Sequence, residues 1–416
     1  MRILLLTQFY WPEARTAPAN LAAVAESLQE AGNDVTVVTG FPNHPFGRIY
    51  EGYRLRWRQW EKVRGVRVLR VPLYPDHSLS PLRRALHYCS FALFSATIGV
   101  WLTRNFSADV VLVYLPPITN WLPIRVLKLV HRAPVVYWIT DLWPEALVAA
   151  GANLKPWLAR AIRLLDARVN RLASLILVNS PGLGRKLEEK GVAARRLEVI
   201  TDWAEESLFF PVEPDARLAR EHSLNGRFNV MYGGNLGPAQ GLATVVAAAH
   251  LLRDLQDLQF VFIGDGEDRP RLEREVADRG LANVRFIPRQ PMKEIRRFFA
   301  VADVLLVHLN PDPMFELQIP SKTMAYMACG KPILCGIAGS AAEVVRDAGA
   351  GLCCAPGDAA SMAEAVRALH RLPPEDLARL GTSGRDTYLR KYTRSVQAKR
   401  FQALLAEVVA GKVEAG

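Results

Sequence analysis

Short apolar blocks recur along the chain, separated by longer stretches in which apolar residues return every three or four positions. In the first half the blocks predict strands at Ile3–Thr7, Asp34–Thr39, Val66–Val71, Val110–Tyr114, Val135–Ile139, Leu175–Asn179 and Leu197–Ile200. In the second half they predict strands at Phe228–Tyr232, Gln259–Ile263, Val284–Phe286, Val304–Val307, Pro332–Gly336 and Ala350–Cys354. Strands alternating with amphipathic helices are the pattern of an α/β protein with parallel sheets. A helix at Asn20–Ala31 stops at Gly32, a residue suited to a helix end. The segment Thr393–Val409 also reads as helix. A proline-bearing connector, from Asp202-Trp203 to Pro211-Val212-Glu213-Pro214, separates the halves. Two α/β domains are therefore expected, 1–205 and 206–392, followed by a helical segment 393–416.

Composition adds compartment and partner. The chain has 416 residues, half of them apolar, which is more than one ordinary core holds. Met1-Arg2 leads straight into the first strand, so no leader peptide is expected. The five cysteines show no CxxC spacing and are expected to be reduced and structural, in the cytosol. Residues 1–200 carry 26 Lys+Arg against 14 Asp+Glu, whereas 201–416 carry 26 against 27. The excess positive charge thus sits in the first half. No helix-turn-helix, zinc or aromatic-platform signature accompanies it, so nucleic acid is not the expected partner. An anionic membrane surface or an anionic lipid acceptor fits better.

Residues 81–106 bear on that point. A basic pair, Arg83-Arg84, precedes the uncharged run Cys89–Leu102, which Arg104 closes. Those fourteen residues are too few to span a bilayer, for which about 20 are needed. Two readings stay open, an in-plane helix at the headgroups and a buried core helix. The basic flanks favour at least peripheral membrane contact.

The candidate chemistry centres on Ile319-Pro320-Ser321-Lys322-Thr323, followed by Met324 to Ala328, Cys329-Gly330-Lys331-Pro332 and the strand behind. Ser321 is the expected N-cap, Gly330 the C′ residue and Pro332 the stop. The first turn, with Ser321, Lys322 and Thr323, then presents backbone N–H groups and the positive helix end, an anion pocket suited to phosphate. A surface lysine beside an ordinary capped helix is the alternative. Glu316 lies six residues before Lys322 and places a carboxylate at the mouth of the same pocket. Such an acid opposes simple anion binding but can hold hydroxyls; a sugar on a diphosphate meets both demands.

A second feature opens the second domain: Tyr232-Gly233-Gly234-Asn235-Leu236-Gly237-Pro238-Ala239-Gln240-Gly241 follows a strand and precedes an Ala-rich helix. A glycine-rich turn there either brings backbone N–H groups to a diphosphate or is simply a tight βα turn. Gly264-Asp265-Gly266 reads mainly as structural. Ile287 and Arg289 follow another strand end. In the first domain, Trp11 and Glu13 follow the first strand, His44 the second, and Asp141-Leu142-Trp143-Pro144-Glu145 a later one. These are strand carboxyl ends, where open α/β sheets hold ligands. Asp141 is a candidate to accept a hydroxyl proton or hold a sugar, or else forms an Asx turn ahead of Pro144. His44 ranks behind it as a base. Lys186 and Lys190 read as the exposed face of a helix. No Asp-x-Asp occurs, and no two histidines have metal-ligand spacing.

Together these segments resemble the retaining family 4 glycosyltransferases, in the fucosamine-transferase-like branch of O-antigen and colanic-acid assembly, where Asp-Leu-Trp-Pro-Glu and Glu…Pro-Ser-Lys…Ala-Cys-Gly-Lys-Pro are typical. The resemblance covers nearly the whole chain, most strongly 3–50, 137–148, 230–242 and 316–334. It implies the GT-B fold, two Rossmann-like domains facing a cleft, with the last helix packing on the first domain. It implies a nucleotide-sugar donor, UDP-linked, held by Gly234, Asn235, Leu236, Gly237, Gln240, Ile287, Arg289, Ser321, Lys322 and Thr323. It gives Glu316 the sugar hydroxyls and, with Asp141 and His44, the catalytic role. Trp11, Glu13, Trp143 and Glu145 fall on the acceptor side. The implied acceptor is a polyprenyl-diphosphate-linked saccharide at the inner face of the cytoplasmic membrane. The chain departs from the family at Asn235 and Gln240, where Arg and Lys are usual, and at Ala325, where a second acid is usual. No cofactor or metal is expected, because helix N-termini and Lys322 take the place of a divalent ion. A sugar-nucleotide epimerase of the same fold and a non-catalytic sugar-nucleotide or membrane scaffold remain as alternatives.

Overall fold

The apolar runs of the first half line up side by side. In the computed structural model, which describes residues 1–13, 16–78, 80–115, 117–142, 145 and 155–412, they form an eight-stranded sheet of order β3-β4-β2-β1-β5-β6-β7-β8. These strands are β1 Arg2–Leu6, β2 Asp34–Gly40, β3 Gln59–Val63, β4 Val66–Val71, β5 Val110–Leu115, β6 Val135–Ile139, β7 Leu175–Val178 and β8 Leu197–Val199. All pair in parallel except β3 with β4. The central strands are buried on both faces, as a sheet covered by helices on each side requires. β3 escapes the apolar pattern because it is an edge strand. Its sequence Gln-Trp-Glu-Lys-Val alternates in exposure, and it returns on β4 through the left-handed pair Arg64-Gly65.

The second half builds a six-stranded parallel sheet of order β11-β10-β9-β12-β13-β14. Its strands are β9 Phe228–Gly233, β10 Leu258–Ile263, β11 Val284–Ile287, β12 Val304–His308, β13 Ile333–Gly336 and β14 Gly351–Cys353. Successive residues feed opposite cores: Met231 and Leu305 join one, Val230, Tyr232 and Leu306 the other. The chain divides into two compact units, residues 1–200 with 398–416, and residues 201–397. The last helix, Arg394–Val409, buries Phe401 and Leu405, and the Phe401 ring meets Trp138 of β6 edge-on at 5.4 Å.

The 81–106 segment is longer than its uncharged run suggested. Among the described residues, Leu82–Phe106 is a helical run of 25 residues, long and apolar enough to cross a membrane by length and composition. It consists of the helix Pro81–Phe94, a π turn Ser95–Gly99 and the turn Val100–Thr103, closed by Arg104–Phe106. One side is a layer of the first unit: Phe91, Ala92, Ser95, Ala96, Val100 and Thr103 are buried, and a Cβ on Gly99 would touch Val38 at 3.0 Å. Basic residues do not interrupt a helix, so the element extends beyond the uncharged window.

In each sheet the strand order reverses beside the first strand. β1 lies between β2 and β5, and β9 lies between β10 and β12. Loops leaving the carboxyl ends at such a point diverge and open a ligand crevice. The loops after β1, β9 and β12 are therefore where the chemistry belongs.

Candidate functional site

Lys322 is the centre of the second unit's site. It stands in the first turn of the helix Ser321–Ala328, on the same face as Tyr326 one turn later. The Tyr326 hydroxyl accepts from the Gly233 N–H at 3.2 Å, which ties this helix to the end of β9. The Lys322 ammonium donates to the Tyr232 hydroxyl at 2.6 Å and to Gln240 Oε1 at 3.1 Å, and lies 4.3 Å from the Tyr232 ring centre. No carboxylate pairs with it among the described residues. Burial pulls its pKa down to about 8. Desolvation of a cation with only neutral partners has that sign. The Thr323 hydroxyl is buried without a partner, and the Ser321 and Lys322 N–H groups make no bond among the described residues.

Ser321 is not the cap. Pro320 occupies that position with extended backbone, and the Ser321 side chain makes no capping bond. The helix starts one residue early because the Pro320 carbonyl already accepts from Thr323 N–H at 2.9 Å. Gly330 does end the helix in the left-handed region, φ 68°.

The glycine-rich loop after β9 is packed rather than open. N–H groups of Gly234, Leu236 and Gln240 donate to the carbonyls of Ile263, Asp265 and Gly237. Three of the loop's donors are thus committed to holding its shape. Gly234 is required by geometry: φ is 146°, and a Cβ there would lie 2.5 Å from Lys322 Cε. A Cβ on Gly264 would collide with the Gly234 carbonyl, so the Gly264–Gly266 turn is the loop's backing. Asn235 is exposed, and its carbonyl lies 2.8 Å from the Tyr232 hydroxyl. Ile287 is buried at the end of β11, and Arg289 beyond it is exposed.

Glu316 ends the short helix Pro313–Glu316, whose first turn is capped by the Asp312 carboxylate accepting from Met314 N–H at 2.7 Å. Its side chain is exposed, and its carbonyl is so close to Gly339 that no Cβ fits there. Ala325 is buried in the apolar core, so the helix supplies no second acid at that position.

In the first unit, Glu13 joins two loops. One carboxylate oxygen accepts from Tyr10 N–H at 3.0 Å; the other accepts from Asn43 and His44 N–H, both at 2.9 Å. The side chain is fully buried, and burial pushes its pKa up to about 7 against those three bonds. Glu13 therefore holds the loops after β1 and β2 to each other, with both carboxylate oxygens taken up by backbone donors. Buried Arg70 reinforces the arrangement, donating to the carbonyls of Trp11 at 2.5 Å and Gly40 at 3.0 Å. Trp11 is exposed, with Arg64 over its ring. The His44 ring packs on Phe9 at 5.1 Å and His77 at 4.7 Å. Asp141 is half-buried just beyond β6, on a separate loop. Trp143 lies outside the described residues. Glu145 is engaged by Lys190 at 2.9 Å, with Asp166 at 3.8 Å from the same ammonium. Lys190 is thus a half-buried ion-pair partner and not an open surface lysine, while Lys186 is half-exposed and pairs with Glu189. Among the described residues, no three His, Cys, Asp or Glu side chains are grouped to hold a metal.

The family described as glycosyl transferases group 1 matches residues 217–387, and the glycosyl transferase 4-like domain matches residues 18–203. The chain carries both of these glycosyltransferase domains. The transferase is 28% identical to the putative colanic acid biosynthesis glycosyl transferase WcaI of Escherichia coli K12, over 79% of this chain and 82% of that protein. It is 29% identical to the probable glycosyltransferase WbjE of Pseudomonas aeruginosa, over 72% and 75%. Its fold is GT-B. Anabaena HepE, solved with UDP, superposes with a TM-score of 0.73 at 17% identity, covering 98% of this chain and all of that one. Sucrose-phosphate synthase from Thermosynechococcus elongatus gives 0.71 at 18%, covering 99% and 100%.

Three residues that the sequence pattern does not single out bond to Lys322 or to the loop after β9: Tyr232, His308 and Asn310. The His308 ring donates from Nδ1 to the Gln240 carbonyl at 2.8 Å, and Asn310 donates to the Pro238 carbonyl at 2.7 Å. Both hold the loop after β9 to the end of β12. His308 Nε2 is buried without a partner among the described residues, and burial keeps the ring neutral. A polar residue at the end of an apolar strand, as in Val307-His308-Leu309-Asn310, is the one signal that would have marked them.

Proposed function

We propose that this transferase moves a sugar, with retention, from a UDP-linked donor to a polyprenyl-diphosphate-linked saccharide in cell-surface polysaccharide biosynthesis, at the membrane and without a metal ion. The observation that carries the donor assignment is the Lys322 ammonium, partly desolvated and bonded, among the described residues, only to neutral Tyr232 and Gln240. A cation in that state is stabilised by an incoming anion, and the first-turn N–H groups beside it add to the same field. Lys322 takes up charge on the diphosphate as it leaves. Glu316, exposed and held by a capped turn, bonds the sugar hydroxyls and orients the ring. No residue stands out as a covalent nucleophile. The bond from the anomeric carbon to the phosphate oxygen breaks as the bond to the acceptor oxygen forms on the same face. The acceptor proton passes to the departing diphosphate, with Asp141 holding the acceptor hydroxyl. UDP heads the donor list because HepE, of the same fold, binds it. The polysaccharide setting is that of WcaI. Ala325 in place of a second acid favours one rival, a protein that binds the nucleotide-sugar without turning it over.

Calorimetry with UDP, GDP, ADP and dTDP in EDTA tests the site. One nucleotide is expected to bind, and Lys322→Ala is expected to abolish that binding. Glu316→Gln is expected to keep nucleotide affinity and lose turnover. Binding that survives the lysine change overturns the donor site; turnover that survives the glutamate change removes Glu316 from the chemistry.

A further inference from the structure

The outward side of the Leu82–Phe106 run has no partner among the described residues, and its composition is specific. Leu82, Leu86, Leu93 and Trp101 are half or more exposed, a stripe opposite the buried Phe91–Ala92, Ser95–Ala96 and Gly99–Val100 positions. The spacing survives to Trp101 because the π turn Ser95–Gly99 inserts extra backbone. An uninterrupted α-helix would drift off its face over five turns. A second element extends the stripe. Trp57, 53% exposed, lies 6.4 Å from Trp101. It belongs to Arg54-Leu55-Arg56-Trp57-Arg58, where every residue is exposed and basic alternates with apolar. Arg58 covers the Trp57 ring at 4.5 Å, and Arg104 covers Trp101 at 4.9 Å. Arg83 is exposed beside Leu82 and Leu86. No acidic residue occurs between Asp76 and Asp109.

We propose that this face, the Leu82–Trp101 stripe with the Trp57 loop, lies in the headgroup layer of an anionic phospholipid membrane, with the helix parallel to the surface. It rests on the reading of the acceptor as membrane-borne, and adds which surface of the first unit meets the lipid. Charge complementarity selects the occupant. Amphipathic indole rings sit at the level of the headgroups, and the arginines stacked on them meet the phosphates while their stems stay on apolar surface. Spanning is excluded by the fold: His87 of this helix is buried, with its ring 2.8 Å from the Gln8 amide and 2.7 Å from the Tyr74 carbonyl, and the inner side covers the sheet. That same His87–Gln8 contact joins the face to the loop after β1, on the acceptor side.

The test is sedimentation of the full chain with vesicles of phosphatidylcholine alone and of phosphatidylcholine mixed equally with phosphatidylglycerol. Binding to the mixed vesicles is expected, with little to the neutral ones. The double variant Trp57→Ser, Trp101→Ser is expected to weaken it by about tenfold or more. Arg83→Gln with Arg58→Gln is expected to weaken it in a salt-dependent way. UDP binding, measured on the same samples, should be unchanged, which separates failure of this proposal from failure of the donor site. Vesicle binding that is absent, or indifferent to the tryptophans, overturns the proposal. So does a dimer that the tryptophan variant converts to monomer, since the face would then be covered by a second copy.

Discussion

Lys322 combines two properties that pull against each other. It is a cation in partly desolvated surroundings, and no carboxylate among the described residues compensates it. Its pKa of about 8, below the ordinary 10.5, means that the free protein holds a mixture of charged and neutral lysine near pH 8. A bound diphosphate raises that pKa again, so binding takes up a proton. The sign follows directly: affinity is highest below pH 8, where the lysine is already charged, and falls as pH rises through it. The nucleotide dissociation constant is expected to rise by up to about tenfold per pH unit above 8. Isothermal titration in buffers of differing ionisation heat checks both the slope and the proton uptake. Glu316 provides the contrast, a carboxylate left exposed at the end of a short capped helix, available to a ligand because no described residue occupies it.

At the scale of elements, both units shape their loops by committing polar groups to each other. In the first unit one carboxylate holds two loops together, since Glu13 satisfies the N–H groups of Tyr10, Asn43 and His44. Glu13→Ala would leave three buried donors unpaired. Each unpaired donor costs about 1–3 kcal/mol before relaxation, so a loss of at least ~3 kcal/mol is expected in urea denaturation. Glu13→Gln should recover part of it, because its amide oxygen can still accept two of the three bonds. In the second unit the β9 loop is held by its backing turn and by His308 and Asn310, which leaves the helix Ser321–Ala328 as the element with donors to spare. The Gly234 and Gly241 N–H groups of that loop are thus taken up by packing and not left for an anion. Sequence alone does not distinguish those uses, because both require the same absence of a Cβ.

For the whole molecule, the final helix matters beyond its position in the chain. Residues from Ala398 onward belong to the first unit, where Phe401 and Leu405 are buried and Phe401 packs edge-on against Trp138. Phe401→Ala is expected to destabilise the first unit by about 3–5 kcal/mol, the usual cost of emptying a buried aromatic site. The second unit's unfolding and its nucleotide binding should be little affected. Differential scanning calorimetry with and without UDP separates the two, since only the second unit's transition should rise with ligand.

Strand placement, the family and the loops at the strand ends were legible in the chain, because runs such as Val135–Ile139 and Val304–His308 are apolar throughout and their ends carry glycine, proline or polar residues. An edge strand was not: β3 half-buries one side only, and alternation over five residues with charges among them resembles a loop. The length of the helical run Leu82–Phe106 was not legible either, since arginines closed the uncharged run while the backbone hydrogen bonds continued. What a polar group does with its hydrogen bonds depended on the tertiary structure. Glu13 and Glu316 are the same side chain in loops at strand ends. The first is consumed by three backbone donors brought from two loops, and the second is left free by a turn that caps itself. Local sequence sets which groups are available; only the folded neighbours determine which of them stay unsatisfied, and those are the groups a ligand can use.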